Sequence, residues 1–183
     1  GGIVGLTHGF YLAKRGLKIC VVEKHKLASG TTANNFSWVN ASTKTANADY
    51  HRLNALGVQM YEGLASEFGA DDIGLNPAGA IELVAASDPA IFNAAKATAA
   101  RLSELGYPNQ WLDVKELRKL EPHVDFADDA AGLRTPSDKF LNAPGFAHLM
   151  ATSVRAMGCT IHQDCAALEL LAVDNGKVTG LRT

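Results

Sequence analysis

Cysteine is scarce in this chain: Cys20, Cys159 and Cys165 are the only three in 183 residues. They form no C-x-x-C pair and no zinc-type spacing. That speaks against a disulfide framework and for reduced thiols, read as small buried hydrophobes, in a reducing compartment such as the cytoplasm. Excess positive charge is also missing. Lys and Arg number 17 against 19 Asp and Glu, for a formal charge of −2, so no nucleic-acid footprint is present. No apolar run approaches the ~18 to 20 residues of a membrane helix. No charged and apolar leader of the secretory kind opens the chain. The six histidines show neither H-x-x-x-H nor H-E-x-x-H spacing, so no metal site is expected. The G-x-S-x-G elbow of hydrolases is absent too.

What remains is an ordinary globular composition, with 47% apolar and 20% charged residues. The length suits one domain or one domain with part of another. The chain opens on Gly1-Gly2-Ile3-Val4-Gly5. A glycine loop of this kind works at the end of a strand, so a first strand is expected ahead of residue 1. The last residues, Val178 to Thr183, read as a strand without its following turn.

Leu6, Phe10, Ala13 and Leu17 recur at helical spacing, which predicts a helix closed by Gly16. Lys18 to Glu23 is a short apolar run of the buried parallel-strand type. Residues 28 to 48, rich in Ser, Thr, Asn and Ala, read as a long loop. Leu53, Leu56, Met60, Leu64 and Phe68 predict a second helix of about five turns. Ala80 to Ala85 reads as a strand. Asp88 with Pro89 starts a helix whose inner stripe is Ile91, Ala95, Thr98, Leu102 and Leu105. Asp113 and Glu116 form a capping box. Asn142 caps a helix carrying Phe146, Leu149, Met150, Val154 and Met157, closed by Gly158. Thr160 to His162 is a strand. Residues 167 to 182 form a hairpin with an Asn175-Gly176 type I′ turn.

The strongest chemistry lies in the first 25 residues. Read as G-x-G-x-x-G, Gly2 and Gly5 are the second and third glycines and Gly1 fills the intervening position. Gly2 lets the backbone approach a pyrophosphate, and Gly5 lets the helix pack on its strand. Gly9 repeats that close approach one turn later. The helix N-terminus offers free N–H groups and partial positive charge to the diphosphate. Glu23 closes the next strand about 20 residues on, where an acid accepts the ribose hydroxyls and disfavours NADP. The pattern predicts a Rossmann-like dinucleotide site.

After Glu23 the chain does not proceed promptly to another helix and strand, as an NAD-type unit would. It runs through a loop dense in hydroxyls and amides that can wrap an extended ligand. GGIVGLTHGFYLAKRGLKICVVEK followed by LASGTTANNFSWVNAS resembles the amino end of the FAD-dependent D-amino-acid oxidase superfamily, which includes glycine and sarcosine oxidases and D-amino-acid dehydrogenases. Trp111-Leu112-Asp113 to Leu120-Glu121-Pro122, Thr135-Pro136-Ser137-Asp138 to Asn142-Ala143-Pro144, and Gly176 to Gly180 resemble its later stretches. Only the first 45 or so residues are sharply diagnostic.

The resemblance implies an α/β protein. A Rossmann-like FAD-binding domain, split in sequence over residues 1–75 and 145–183, would flank the beginning of an α+β substrate domain at 76–144. It implies FAD held by Gly1, Gly2, Ile3, Val4, Gly5, Glu23, Lys24, Ser29, Gly30, Thr31, Thr32, Ala33 and Asn34, with the backbone of Ala167 at the adenine. Phe36 to Trp38 would lie near the flavin. Asn34-Asn35 stand where several relatives carry an arginine. The implied reaction is oxidation of an amine or amino acid by hydride transfer to flavin, in the cytoplasm or, for a dehydrogenase, at the membrane periphery. The family's substrate-binding residues lie in a carboxyl half beyond this chain, so no catalytic residue is assigned. Two alternatives are an NAD-dependent dehydrogenase and an inactive truncated flavoprotein.

Overall fold

A computed structural model describes residues 1–172 and 176–183. The elements run α1 (Ile3–Lys14), β1 (Cys20–Val22), β2 (Trp38–Val39), α2 (Ala48–Phe68), α3 (Ala70–Ile73), β3 (Leu75–Asn76), β4 (Ala80–Ala85) and α4 (Pro89–Glu104). They continue as β5 (Gln110–Leu112), α5 (Val114–Leu120), β6 (Ala130–Thr135), β7 (Lys139–Leu141), α6 (Ala143–Ala156), β8 (Thr160–His162), β9 (Glu169–Ala172) and β10 (Val178–Arg182).

The backbone forms two compact units. Gly1–Ser37, Asp72–Gly74 and Asn142–Thr183 make the first; Trp38–Asp71 and Leu75–Leu141 make the second. The chain passes between these units at 37/38 and 141/142, with Asp72–Gly74 returning to the first. Residues 38–71 join the second unit because β2 pairs with β7 and because α2 is tied inward at His51. The His51 Nδ1 donates to the Ala41 carbonyl at 3.0 Å, and its ring stands edge-on to Tyr107.

In the first unit, β1 and β8 pair in parallel, Cys20 opposite Thr160 and Val22 opposite His162. Helices α1 and α6 pack together through Leu6, Phe10 and Ala13 on one side and Phe146, Met150 and Val154 on the other, all buried. A Cβ on Gly9 would lie 3.5 Å from Val21 and 3.7 Å from Val154, so the helix rests directly on the strand. Val21 faces α1, and the two-residue period turns Cys20 outward. Cys20 is exposed, and Cys159 and Cys165 are half-exposed free thiols, which corrects the buried reading. Gly16 and Gly158 end α1 and α6 with φ of +81° and +78°, the left-handed stop that glycine allows. Leu17 and Met157, at and beyond those stops, leave the inner stripe and are exposed. β9 and β10 are antiparallel. Asn175 of the expected hairpin turn lies outside the described residues.

The second unit holds two three-stranded antiparallel sheets, ordered β4-β6-β5 and β2-β7-β3. Leu102 of α4 packs with Ala41, Tyr107 and Leu133. Val84, Ala95 and Ala131 form a second cluster, and Leu112, Leu117 and Phe126 a third. The caps stand as read: Asp88 accepts from Ala90 and Ile91 N–H, Asp113 and Glu116 close a capping box, and Asn142 accepts from Gly145 N–H in the first unit. The faces differ. Leu53, Leu56, Met60 and Ile91 are exposed, while His51, Val58 and Leu64 form the buried side of α2. Anchoring of His51 to Ala41 rotates α2 away from its leucine stripe.

Candidate functional site

Gly1 and Gly2 lead directly into α1. Gly2 is the N-cap, in extended conformation and without a capping side chain. A remote residue supplies the missing acceptor. Thr32 Oγ1, buried, accepts the Ile3 N–H at 3.0 Å. The Ala28 N–H donates to the Gly1 carbonyl at 3.0 Å. Loop residues 28 and 32 are thus fastened to the opening turn. The first-turn N–H groups of Val4 and Gly5 have no intrahelical acceptor, and both residues are exposed.

Glu23 follows β1 and turns its carboxylate to this same place. Oε1 accepts the His25 N–H at 2.9 Å, and Oε2 lies 3.1 Å from the Gly1 nitrogen. The His25 N–H holds the carboxyl below its ordinary value of 4.5. A Cβ on Gly1 would sit 2.6 Å from Glu23 Cβ, and one on Gly2 would sit 3.1 Å from Thr32 Oγ1. Glycine is therefore needed at residue 1 to admit Glu23. At Gly5 nothing among the described residues comes within 4 Å of a Cβ. A Cβ on Gly9, one turn later, would meet Val21 at 3.5 Å, an ordinary packing distance.

The loop after Glu23 folds on itself. Ser29 Oγ donates to the Lys26 carbonyl, and Asn34 Nδ2 to the Gly30 carbonyl. Asn35 Nδ2 donates to Thr31 and Thr32 carbonyls, while its Oδ1 accepts from Ser37. Ala28 and Ser37 adopt φ of +60° and +55°, left-handed conformations costing about 1–3 kcal/mol each. Their bonds to Gly1 and Asn35 hold them there. Lys24, Gly30, Thr31 and Ala33 are exposed. Ala167 is exposed two residues beyond Cys165, whose N–H donates to the Glu23 carbonyl. The structure thus joins Gly1, Gly2, Ile3, Glu23 and Thr32 by direct bonds or contacts. It links Ala167 only through its chain neighbours.

A second constellation was not read from the sequence. Asp138, in the second unit, is completely buried. Its Oδ2 accepts from Ser42 Oγ at 2.6 Å and Thr135 Oγ1 at 3.0 Å, and its Oδ1 from the Tyr107 hydroxyl at 2.6 Å. Burial and then Asp138 itself push the Tyr107 hydroxyl well above its ordinary value. The partners lie up to 96 positions apart. No local spacing announces them, and the only signal was a turn-type Pro136-Ser137-Asp138.

Among the described residues, no three His, Cys, Asp or Glu side chains converge as a metal set. None of their helices is long and apolar enough to cross a membrane.

The parallel β1–β8 pair, the glycine turn into α1 and the acid at the tip of β1 define a nucleotide-binding class of α/β protein. Residues 1–183 match the family model "DAO: FAD dependent oxidoreductase", and the chain belongs to that family. It is 26% identical over 183 residues to glycine oxidase of Geobacillus kaustophilus (strain HTA426), covering 97% of this chain and 48% of that protein. The chain therefore spans about half of that relative's length. The crystal structure of glycine oxidase from Geobacillus kaustophilus superposes with a TM-score of 0.82 at 24% identity, over 93% of this chain and 46% of that one. L-proline dehydrogenase from P. horikoshii gives 0.83 at 20% identity, over 99% and 46%. These structures share the fold.

Proposed function

We propose that the full-length protein of which these residues are part binds FAD through this first unit and oxidises an amine or amino acid, of the D-amino-acid, glycine or sarcosine type, by hydride transfer to the flavin. The observation that carries the reading is the meeting of the Gly1–Gly2 backbone, the α1 N-terminus and the Glu23 carboxylate at one point. The residues fit the group. Open N–H groups at Val4 and Gly5 suit a diphosphate, and the carboxylate beside them suits ribose hydroxyls. Ser29 to Asn34 would follow the diphosphate toward the ribityl chain, with Lys24 beside the ribose and the Ala167 backbone at adenine. The flavin, when bound, supplies the electron acceptor. The protein's part is to hold it and exclude alternatives. The family membership and the names of the relatives, which act on amino acids, support this substrate class. Residues 76–144 would open the substrate domain.

Absorbance of the purified protein tests the cofactor. Flavin bands that Glu23→Ala diminishes are the expected result, with a loss of roughly 1.5–3 kcal/mol per charge-assisted bond. A colourless protein that binds a nicotinamide cofactor would favour the NAD-dependent alternative. A panel of D-amino acids, glycine and sarcosine, read by peroxide formation or dye reduction, tests the substrate. Flavin-loaded protein that is silent across the panel would overturn the substrate class while leaving the cofactor standing.

A further inference from the structure

Strands β9 and β10 form a two-stranded hairpin with two unlike faces. The register sets Glu169 opposite Arg182, Leu170 opposite Leu181, Leu171 opposite Gly180 and Ala172 opposite Val178. Directly opposed residues share a face, and the two-residue period alternates the faces along each strand. One face therefore carries the Glu169–Arg182 pair, with Arg182 Nη2 2.7 Å from the carboxylate. It also carries Leu171, which rests over Gly180, where a Cβ would lie 3.3 Å from the leucine side chain. The Thr179 hydroxyl donates to the Leu171 carbonyl at 3.3 Å. The polar groups of that face are settled within the hairpin.

The other face is wholly apolar. It carries Leu170, Ala172, Val178 and Leu181. Leu168, two residues ahead of Leu170, extends it, and the Leu168 N–H donates to the Arg182 carbonyl at 2.9 Å. Leu170 is 64% exposed, Leu168 61% and Val178 53%, so no side chain among the described residues covers them. A two-stranded hairpin with no packed face is marginal in water. An open, uncharged face of this kind marks an interface.

The size of the face selects its occupant. Two strands wide and about five residues long, it offers on the order of a few hundred Å². A stable complex between separate chains uses roughly 800 Å² from each partner, because association costs translational and rotational freedom. A segment of the same chain is already tethered and escapes most of that cost. The chain covers 48% of the glycine oxidase it matches, which leaves half of that relative without a counterpart in these residues.

We propose that the apolar face of the β9–β10 hairpin is the docking surface for an apolar segment of the full-length protein from outside residues 1–183. The docking asks nothing of the flavin or the substrate, and it stands apart from the functional reading above.

Thiol labelling of the full-length protein, read residue by residue from peptide masses, tests it. Leu170→Cys and Leu181→Cys should react at least about a hundredfold more slowly than in urea, as side chains do that are reached only by local opening. Glu169→Cys, on the other face, should react much faster than either. Hydroxyl-radical footprinting of the unsubstituted protein reads Leu168 and Leu170 directly and should show the same protection. A benzophenone side chain in place of Leu168 should, on illumination, join to a peptide from outside residues 1–183. A Leu170→Cys thiol that reacts as fast as Glu169→Cys would overturn the proposal, as would footprinting of Leu168 and Leu170 at the rate seen in urea. So would an adduct confined to residues 1–183. Protection that disappears on dilution, or an adduct joining two copies, would also overturn it and assign the face to a second copy.

Discussion

The two units build their polar centres by opposite means. In the first, the backbone supplies most of the polar groups: Gly1 and Gly2 main-chain groups, the N–H of Ile3 and the N–H of His25 surround one carboxylate and one hydroxyl. In the second, three side-chain hydroxyls converge on one buried carboxylate. A backbone site needs small residues at fixed spacing, so it leaves a local trace in sequence. A side-chain hub needs only that residues such as Ser42 and Tyr107, far from Asp138 in sequence, meet it in space, so it leaves no local trace. The first kind tolerates changes that keep the backbone path. The second fails when any one partner loses its complement.

Mutations can sharpen that contrast. Asp138→Ala would strip the acceptor from three buried hydroxyls at once. Its expected cost is about 3–5 kcal/mol, given roughly 1–3 kcal/mol for each unsatisfied group and incomplete additivity, read by denaturant unfolding. A cost below about 1 kcal/mol would mean the hub is incidental to the second unit. Gly1→Ala places a methyl 2.6 Å from Glu23 Cβ and should cost about 1–3 kcal/mol by overpacking. Gly9→Ala meets only ordinary contacts at 3.5 Å or more and should cost little. Equal losses at both glycines would contradict this account of the opening turn. Asp113→Ala removes one half of the α5 capping box and should cost about 1 kcal/mol, a local loss that leaves both centres intact.

The smallest effect concerns pH. The Glu23 carboxyl is held below its ordinary value, first by the His25 N–H. Its contribution to stability is therefore full above the ordinary value of 4.5 and fades as pH falls through the lower folded value. Glu23→Gln should flatten the acid limb of a Tm-versus-pH curve there and change little near neutrality. An unaltered acid limb would show that the carboxylate is not held as described.

The helix stops and caps were legible because each is a contract among a few neighbouring residues. Asp88 with Pro89, Asp113 with Glu116, Asn142, Gly16 and Gly158 all act where their spacing places them. Ala80–Ala85 and Thr160–His162 were legible as strands. The two- and three-residue strands β2, β3, β5 and β7 were not. They are strands because β6 and β7 offer them hydrogen bonds. The inner face of α2 was hidden for a related reason. Leucine spacing favours one face, but a buried His51 bonded to Ala41 selects another.

Sequence by itself determined the opening glycine turn and the acid at the tip of the next strand, along with the ends of the helices. Those features depend on backbone conformation and on contacts within a turn or two. Only the tertiary structure decided that residue 38 begins a different unit. It alone decided that Thr32 caps a helix 29 positions away and that Asp138 is buried among hydroxyls. Such pairings depend on which chain segments pack together, and their energies arise only once water has been excluded from between them.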